Sequence, residues 1–574
     1  MPRGRCLLGT IALTLAVAGC NGTIVAGVPA DGSSGEPDAD VPGDGSSGEP
    51  DASAPIDGGG ELDAGMPGDG SSSELDAGVP IDGGGELDAG VAADGSAPDA
   101  GPPTCTGDVQ IPLGADIQQY LNDNPNGTSF CLAAGTYRVT ATLTPKQDQR
   151  IAGVAGSTIL SGAKVLTGWT EDSANGSWFH AGDTPTPPAF FTCPSPGSCC
   201  HDGSDACMYP DDVFRDNVLL TRVLSLSALA SGQVYVDYAA NRIYVKDDPA
   251  TATMELTATP ILFNDGPSGV QLADFIVEKF GSNWAVVSAP AVRLLTGWVV
   301  DNVEARWNHG DGFHLGGGHS GMVLKNSKTH HNGQNGLAVS GATNAQILNC
   351  EISYNNTIGF NSNWGAGAFK IAVSSDILVQ DCYSHHNNGQ GMWTDIDNIR
   401  ITYDHNTVEY NQDTFGEANG IMHEISFDAV IKNNVVRYNA TRGIYISSSG
   451  GVGAGIIDVF GNTVEKNGLA GIELIQADRG SSGTYGTYLV RNVKVHDNTF
   501  TACQVGHGVA SGYQYAGSPG DMWNAGNTFE TNQYHVTPSP TQWWQWQGAS
   551  LTWSQWNGYG LDTGGTMATD AVCP

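Results

Sequence analysis

One asparagine recurs through the second half of this chain. Aligning "LKNSKTHHNGQNGLAVS", "LNCEISYNNTIGFNS", "QDCYSHHNNGQGMWTD", "IKNNVVRYNATRGIYIS" and "VFGNTVEKNGLAGIEL", with the stretch around Asn411, puts Asn332, Asn355, Asn387, Asn411, Asn439 and Asn467 in one column. A second column, four places on, holds Gly336, Gly359, Gly391, Gly443 and Gly471. The period is roughly 23 to 36 residues, and a unit that short cannot bury a core alone, so copies must stack. The units are rich in β-branched residues and Gly/Asn turns and lack a 3.6-residue period, which excludes a helical repeat. Coils of short parallel strands fit, with each Asn at an inside turn where its amide can bond the turns above and below. The expected fold class is all-β, a parallel β-helix solenoid.

The rest of the chain divides around that solenoid. Residues 1–19 read as an export signal: Arg3 and Arg5 precede an apolar stretch, Leu7 to Val17, too short to span a bilayer. It ends in Val17-Ala18-Gly19-Cys20, which resembles the lipobox of bacterial lipoproteins. That resemblance implies cleavage before Cys20, lipid attachment there, and a membrane anchor at the cell envelope, at the outer membrane or cell surface. Residues 20–103 hold near copies of "VPADGSSGEPDA" and "VPIDGGGELDAG", with no Lys or Arg. Such a segment buries too little apolar surface to offset chain entropy, so a disordered acidic tether is expected. Residues 104–159 read as a cap with a short helix and the first coils. Residues 160–258 lose the repeat, and "GQVYVDYAANRIYVKDDP" alternates on both sides of a turn, so an inserted antiparallel β subdomain is expected there. Residues 259–574 form the main solenoid.

The formal net charge is −36, which repels nucleic acid and argues against such a partner. Nothing in the sequence calls for an oligomer, so a monomer is expected. Export implies disulfides among Cys105, Cys131 and the Cys193, Cys199, Cys200, Cys207 group. Cys350 and Cys382 occupy equivalent places on successive coils, as a core stack or a disulfide. The Trp-dense "QWWQWQGASLTWSQWNGYG" reads as a cap on the open solenoid end in preference to a sugar platform.

In the strand after each glycine, alternate residues face inward. Phe313, Leu337, Met392, Ile421, Ile444 and Ile472 come first and should point to the core. The second place, outward, holds Trp393, Met422, Tyr445 and Glu473. The fourth holds Asp395 in "GMWTDIDN" and Glu424 in "GIMHEISFD", so these two acids should be neighbours on adjacent rungs, about 4.8 Å apart at the backbone. Like charges at that spacing raise one pKa, which suits glycoside hydrolysis, and a gap of about 5 Å suits a retaining double displacement. Asp397, two residues on, would face the same side and offer a wider pair with Glu424, and a gap of about 6.5–9.5 Å suits an inverting mechanism. Lys370 should fall beside Trp393. His314 would lie further along the same groove, and His423 falls at an inward place.

The sequence resembles the right-handed parallel β-helix superfamily of pectate lyases and carbohydrate-active relatives over most of residues 104–574. The run "GAGAFKI … GMWTDIDN … GIMHEISFDAVIKNN" resembles secreted bacterial β-helix proteins. In architecture and acid spacing it is loosely similar to β-helix glycoside hydrolases that carry an inserted β-domain. That likeness implies Asp395 as nucleophile and Glu424 as acid/base. On the hydrolase reading Trp393 and Tyr445 would line the groove as stacking platforms, His423, His314 and Glu473 are further candidate substrate contacts, and no cofactor is expected. The alternative is a uronate lyase or epimerase, with Lys370 as base and Asp395, Asp397 and Glu424 holding Ca²⁺. A third reading is a non-catalytic glycan-binding adhesin. The paired aspartates and Gly-His-Gly of polygalacturonases are absent.

Overall fold

The computed structural model describes residues 105, 109–188, 199–282, 290–480, 482–503 and 506–573. The export signal, Cys20 and the acidic tether lie outside them.

Between Val109 and Ala568 the short strands stack into three long sheets, and neighbours within each sheet's solenoid part run parallel. The first and second sheets have thirteen strands each and the third eleven, among the described residues, so the core is a long column enclosed on three sides. In the third sheet Phe313 pairs with Leu337 and Leu337 with Phe369, and Met392, Ile421, Ile444 and Ile472 follow in register. All of these are buried, as the period-two reading requires. The start reads as expected: the Ile117–Asp123 helix is capped by Asp116, whose carboxylate accepts the Gln119 N–H at 3.2 Å.

The asparagine column is a hydrogen-bonded ladder. The Asn387 amide donates to Asn411 Oδ1 at 2.9 Å, and its own Oδ1 accepts the Asn355 backbone N–H at 3.0 Å and side-chain N–H at 2.9 Å. The pattern repeats from Asn308 to Asn467. A second ladder, absent from the sequence alignment, runs Asn406, Asn434, Asn462, Asn498, Asn532 and ends on Asp562. Cys382 extends it, its backbone N–H donating to Asn406 Oδ1 at 2.9 Å. Cys350 and Cys382 are buried free thiols, so the core stack is the arrangement found. The glycine column follows from crowding: a Cβ on Gly391 would stand 2.8 Å from Asn411 Nδ2 and 2.7 Å from the Gly420 carbonyl oxygen. Gly359 does not belong to that column. The Leu337–Phe369 register places Ala368 opposite Gly336, because residues 356–366 form an excursion that adds length to that coil.

Between Ala163 and Thr257 the chain leaves the solenoid and builds a four-stranded and a five-stranded sheet, mostly antiparallel, including the Gln233–Asp237 and Arg242–Val245 hairpin. Gln271–Ala273 then pairs directly with Arg150–Ala152, and the solenoid resumes. Disulfides join Cys105 to Cys131, Cys200 to Cys207 and Cys503 to Cys573. At the far end Trp543, Trp544, Trp546 and Trp556 are buried over the last coil, and Trp556 Nε1 donates to Asp562 at 3.0 Å. They close the column.

Asn387→Ala removes two buried acceptor contacts and three donor contacts at once. With each orphaned group costing about 1–3 kcal/mol, the loss should be roughly 3 kcal/mol, read as a lowered urea midpoint with an unchanged m-value.

Candidate active site

The strands Gly367–Ala372, Met392–Asp395, Ile421–Glu424, Arg442–Ser447 and Ala470–Gln476 lie side by side in the third sheet. Lys370 pairs with Trp393, Trp393 with Met422, Met422 with Tyr445 and Tyr445 with Glu473. Asp395 pairs with Glu424. The two acids are neighbours on adjacent rungs, as the repeat alignment requires.

Their surroundings differ. Asp395 Oδ2 lies 2.6 Å from Lys370 Nζ, which also donates to the Trp364 carbonyl at 2.9 Å and sits 3.8 Å from the Trp393 ring centroid. Asp395 Oδ1 is buried without a hydrogen-bond partner. Glu424 forms an ion pair with Arg479. Burial, and after it the Asp395 charge, push Glu424 up to about 7 against the opposing pull of Arg479 and Lys370. Below about pH 7 Glu424 is mainly protonated, in register with Asp395. Both are largely covered, at 5% and 8% exposed, so a ligand must displace part of the cover, and Arg479 is the group in direct contact.

Other expected site residues are placed differently. Asp397 lies past the end of the strand, bonded to Thr484, and Tyr488 stands in the field of both Asp397 and Asp395. The strand ends at Asp395, Ile396 and Asp397 adopt φ of 65° and 59°, and the turn sends the Asp397 carboxylate to the Thr484 N–H at 2.8 and 2.9 Å. His423 lies inward, in register with Thr394 and Ile446, and is fully buried; burial draws it down to about 3, so it is a neutral core imidazole and not a substrate contact. His314 is on the outward column, two rungs before Lys370, but is buried and bonded through Nε2 to Ser340 Oγ at 2.8 Å. Glu473 is enclosed by Arg442 and by His507 at 2.9 Å, which corrects its reading as an open contact. Tyr445 is half-buried with the Arg442 guanidinium 4.3 Å over its ring, and one face of Trp393 is taken by Lys370.

The groups that the sequence reading missed are Arg479, Thr484 and the Trp364 carbonyl. All come from excursions. The coil from Asn462 to Asn498 spans 36 residues and that from Asn355 to Asn387 spans 32, against 23 from Asn332 to Asn355. The surplus length was the available signal.

Calcium takes six to eight oxygen ligands. Asp395 and Glu424 each already hold a cationic side chain, and Asp397 is turned to Thr484. Among the described residues no three or more His, Cys, Asp or Glu side chains are arranged to hold a metal. The three carboxylates as arranged do not fit a calcium set.

The profile of the right handed beta helix region family matches residues 292–457. No curated protein matches the sequence. Among solved structures, the complex of XylC with xylose is similar at 13% identity, covering 79% of this chain and 83% of that one, with a TM-score of 0.52. The catalytic unit of a GH87 alpha-1,3-glucanase from Streptomyces thermodiastaticus is 13% identical over 82% of this chain and 70% of that one, at a TM-score of 0.44. The A-module of the Azotobacter vinelandii mannuronan C-5 epimerase AlgE6 is 13% identical over 80% and 93%, at 0.42. The sheet topology, the profile match over residues 292–457 and the likeness to XylC show the fold, a right-handed parallel β-helix.

Asp397→Ala should remove the Thr484 tie, cost about 1–2 kcal/mol, and speed proteolytic cleavage between Asp478 and Thr487. Cleavage no faster than in the parent chain would show that the tie does not hold this segment.

Proposed function

We propose that this protein is a glycoside hydrolase that cleaves a neutral polysaccharide or oligosaccharide by a retaining double displacement. The observation that carries the reading is the in-register pair with split environments: Asp395 bridged to Lys370, and Glu424 raised to about 7. In the first step Glu424 donates its proton to the glycosidic oxygen while Asp395 Oδ1 attacks the anomeric carbon. In the second, Glu424 takes a proton from water, which attacks the same carbon and releases Asp395. Neighbouring rungs about 4.8 Å apart are compatible with the carboxyl separation of about 5–5.5 Å that retention needs.

Three engaged cations favour a neutral sugar. Lys370 is held by Asp395, Arg442 by Glu473 and Glu417, and Arg479 contacts Glu424. A uronate carboxylate would have to break one of these contacts. The lyase or epimerase reading also requires Lys370 to offer a lone pair, at the cost of its carboxylate, carbonyl and indole contacts. In this proposal the enzyme is exported and held at the cell envelope by a lipid on Cys20, with the acidic segment as tether, and works as a monomer without a cofactor.

The test is a panel of neutral and uronate polysaccharides, with and without chelator, scored together for new reducing ends and for ultraviolet absorbance of unsaturated products. Reducing ends without absorbance, insensitive to chelator and lowered at least about 10²-fold in Glu424→Gln, are expected. Chelator-sensitive absorbance would overturn the proposal in favour of a lyase.

Because Glu424 must carry a proton to act as acid, activity should fall as pH rises through about 7. Arg479 lowers that pKa, so Arg479→Ala should move the alkaline limb of the kcat/KM profile upward. A limb that stays in place or moves down would remove Glu424 from the acid role.

A further inference from the structure

A second cavity lies away from the acid pair, between the inserted sheets and the solenoid. It encloses about 620 Å³, within the range of small-molecule sites. The solenoid contributes Trp307, Thr357 and, from the excursion after Asn411, Phe415; the inserted region contributes Asp212, Asn217 and Arg222. None of these residues belongs to the Met392–Asp395 or Ile421–Glu424 strands.

The polar groups are held in place. His309, itself buried, bonds Asp212 Oδ2 through Nδ1 at 3.0 Å. The carbonyl oxygen of Asn217 accepts from the buried Lys279 ammonium at 2.5 Å, which leaves its amide N–H pair as the donor end. Arg222 is anchored on Asp211 at 2.7 Å. The rim is stitched to the solenoid: the His201 N–H donates to the Gly359 carbonyl at 2.9 Å, the Asn361 N–H to the Cys199 carbonyl at 2.7 Å, and the Cys200–Cys207 disulfide braces the same loop. A cleft built this way binds without a large ordering cost.

Its chemistry selects the ligand. Phe214 and Phe415, and the Trp307 indole with Arg306 4.3 Å over its ring, lie beside amide, carboxylate, guanidinium and hydroxyl groups and match a ligand with apolar ring faces and many hydroxyls. The guanidinium is already paired, and Asp202 and Asp212 line the same wall, so an anion is disfavoured. We propose that this cleft is a glycan-binding site for a short neutral oligosaccharide, separate from the acid pair and independent of whether that pair is catalytic.

The full chain carrying Glu424→Gln, which blocks turnover in the proposed mechanism, would be titrated with neutral gluco-, xylo-, manno- and galacto-configured trisaccharides at millimolar concentration. Calorimetry and saturation-transfer NMR would read binding. At least one trisaccharide should bind in a manner weakened roughly tenfold or more by Trp307→Ala and unaffected by Trp393→Ala. Should Trp307→Ala lose its fold, Phe415→Ala, on the excursion after Asn411, and Thr357→Tyr, which fills the cleft, should weaken the same binding. No binding that depends on Trp307, Phe415 or Thr357 across the panel would overturn the proposal. So would binding abolished by Trp393→Ala alone, which would assign the sugar to the acid site.

Discussion

The asparagine ladder is the interaction on which the rest depends. A β-helix turns its chain three times per coil, and each turn leaves backbone groups pointing into a dry interior. The Asn308–Asn467 column answers this: between its ends, each side chain accepts from the backbone and amide of the rung before and donates to the rung after. The second ladder does the same and closes on Asp562, which also accepts from Tyr534 and Trp556. Because each rung is hydrogen-bonded to the next, register is fixed along the solenoid, and a side chain's place in its strand determines its neighbours on adjacent coils.

Fixed register is what allows two acids to stand side by side. Asp395 and Glu424 would repel each other on an unsupported sheet. Here the cost is divided: Lys370 neutralises one, and burial keeps a proton on the other against the pull of Arg479. The supporting cations come from different levels, Lys370 from the preceding rung and Arg479 from an excursion. The 356–366 excursion links two parts of the molecule. Its Trp364 carbonyl holds Lys370, while Ile358 and Gly359 line the cleft against the inserted sheets.

Most of the fold was legible because period-two strands, glycine crowding and the Asn column are local, repeated signals. The Lys370–Trp393 and Asp395–Glu424 neighbours could be read the same way, since stacking turns alignment columns into contacts. Asp397 shows the limit. Alternation projected it onto the face, but two left-handed residues end the strand first, and nothing in "TDIDN" separates a continuing strand from a turn. Glu473 shows another: its outward place was legible, but Arg442 and His507 enclosing it were not.

The sequence by itself determined the solenoid, its register and the inward column, because a short repeat can bury its apolar side only against its own copies. Only the tertiary structure decided which outward groups are covered, which acid keeps a proton and where the second cleft opens. Those depend on Arg479, Thr484, Trp364 and the inserted sheets, which reach the solenoid face through loops outside the repeat, and a loop's path over a surface leaves no period in the sequence to read.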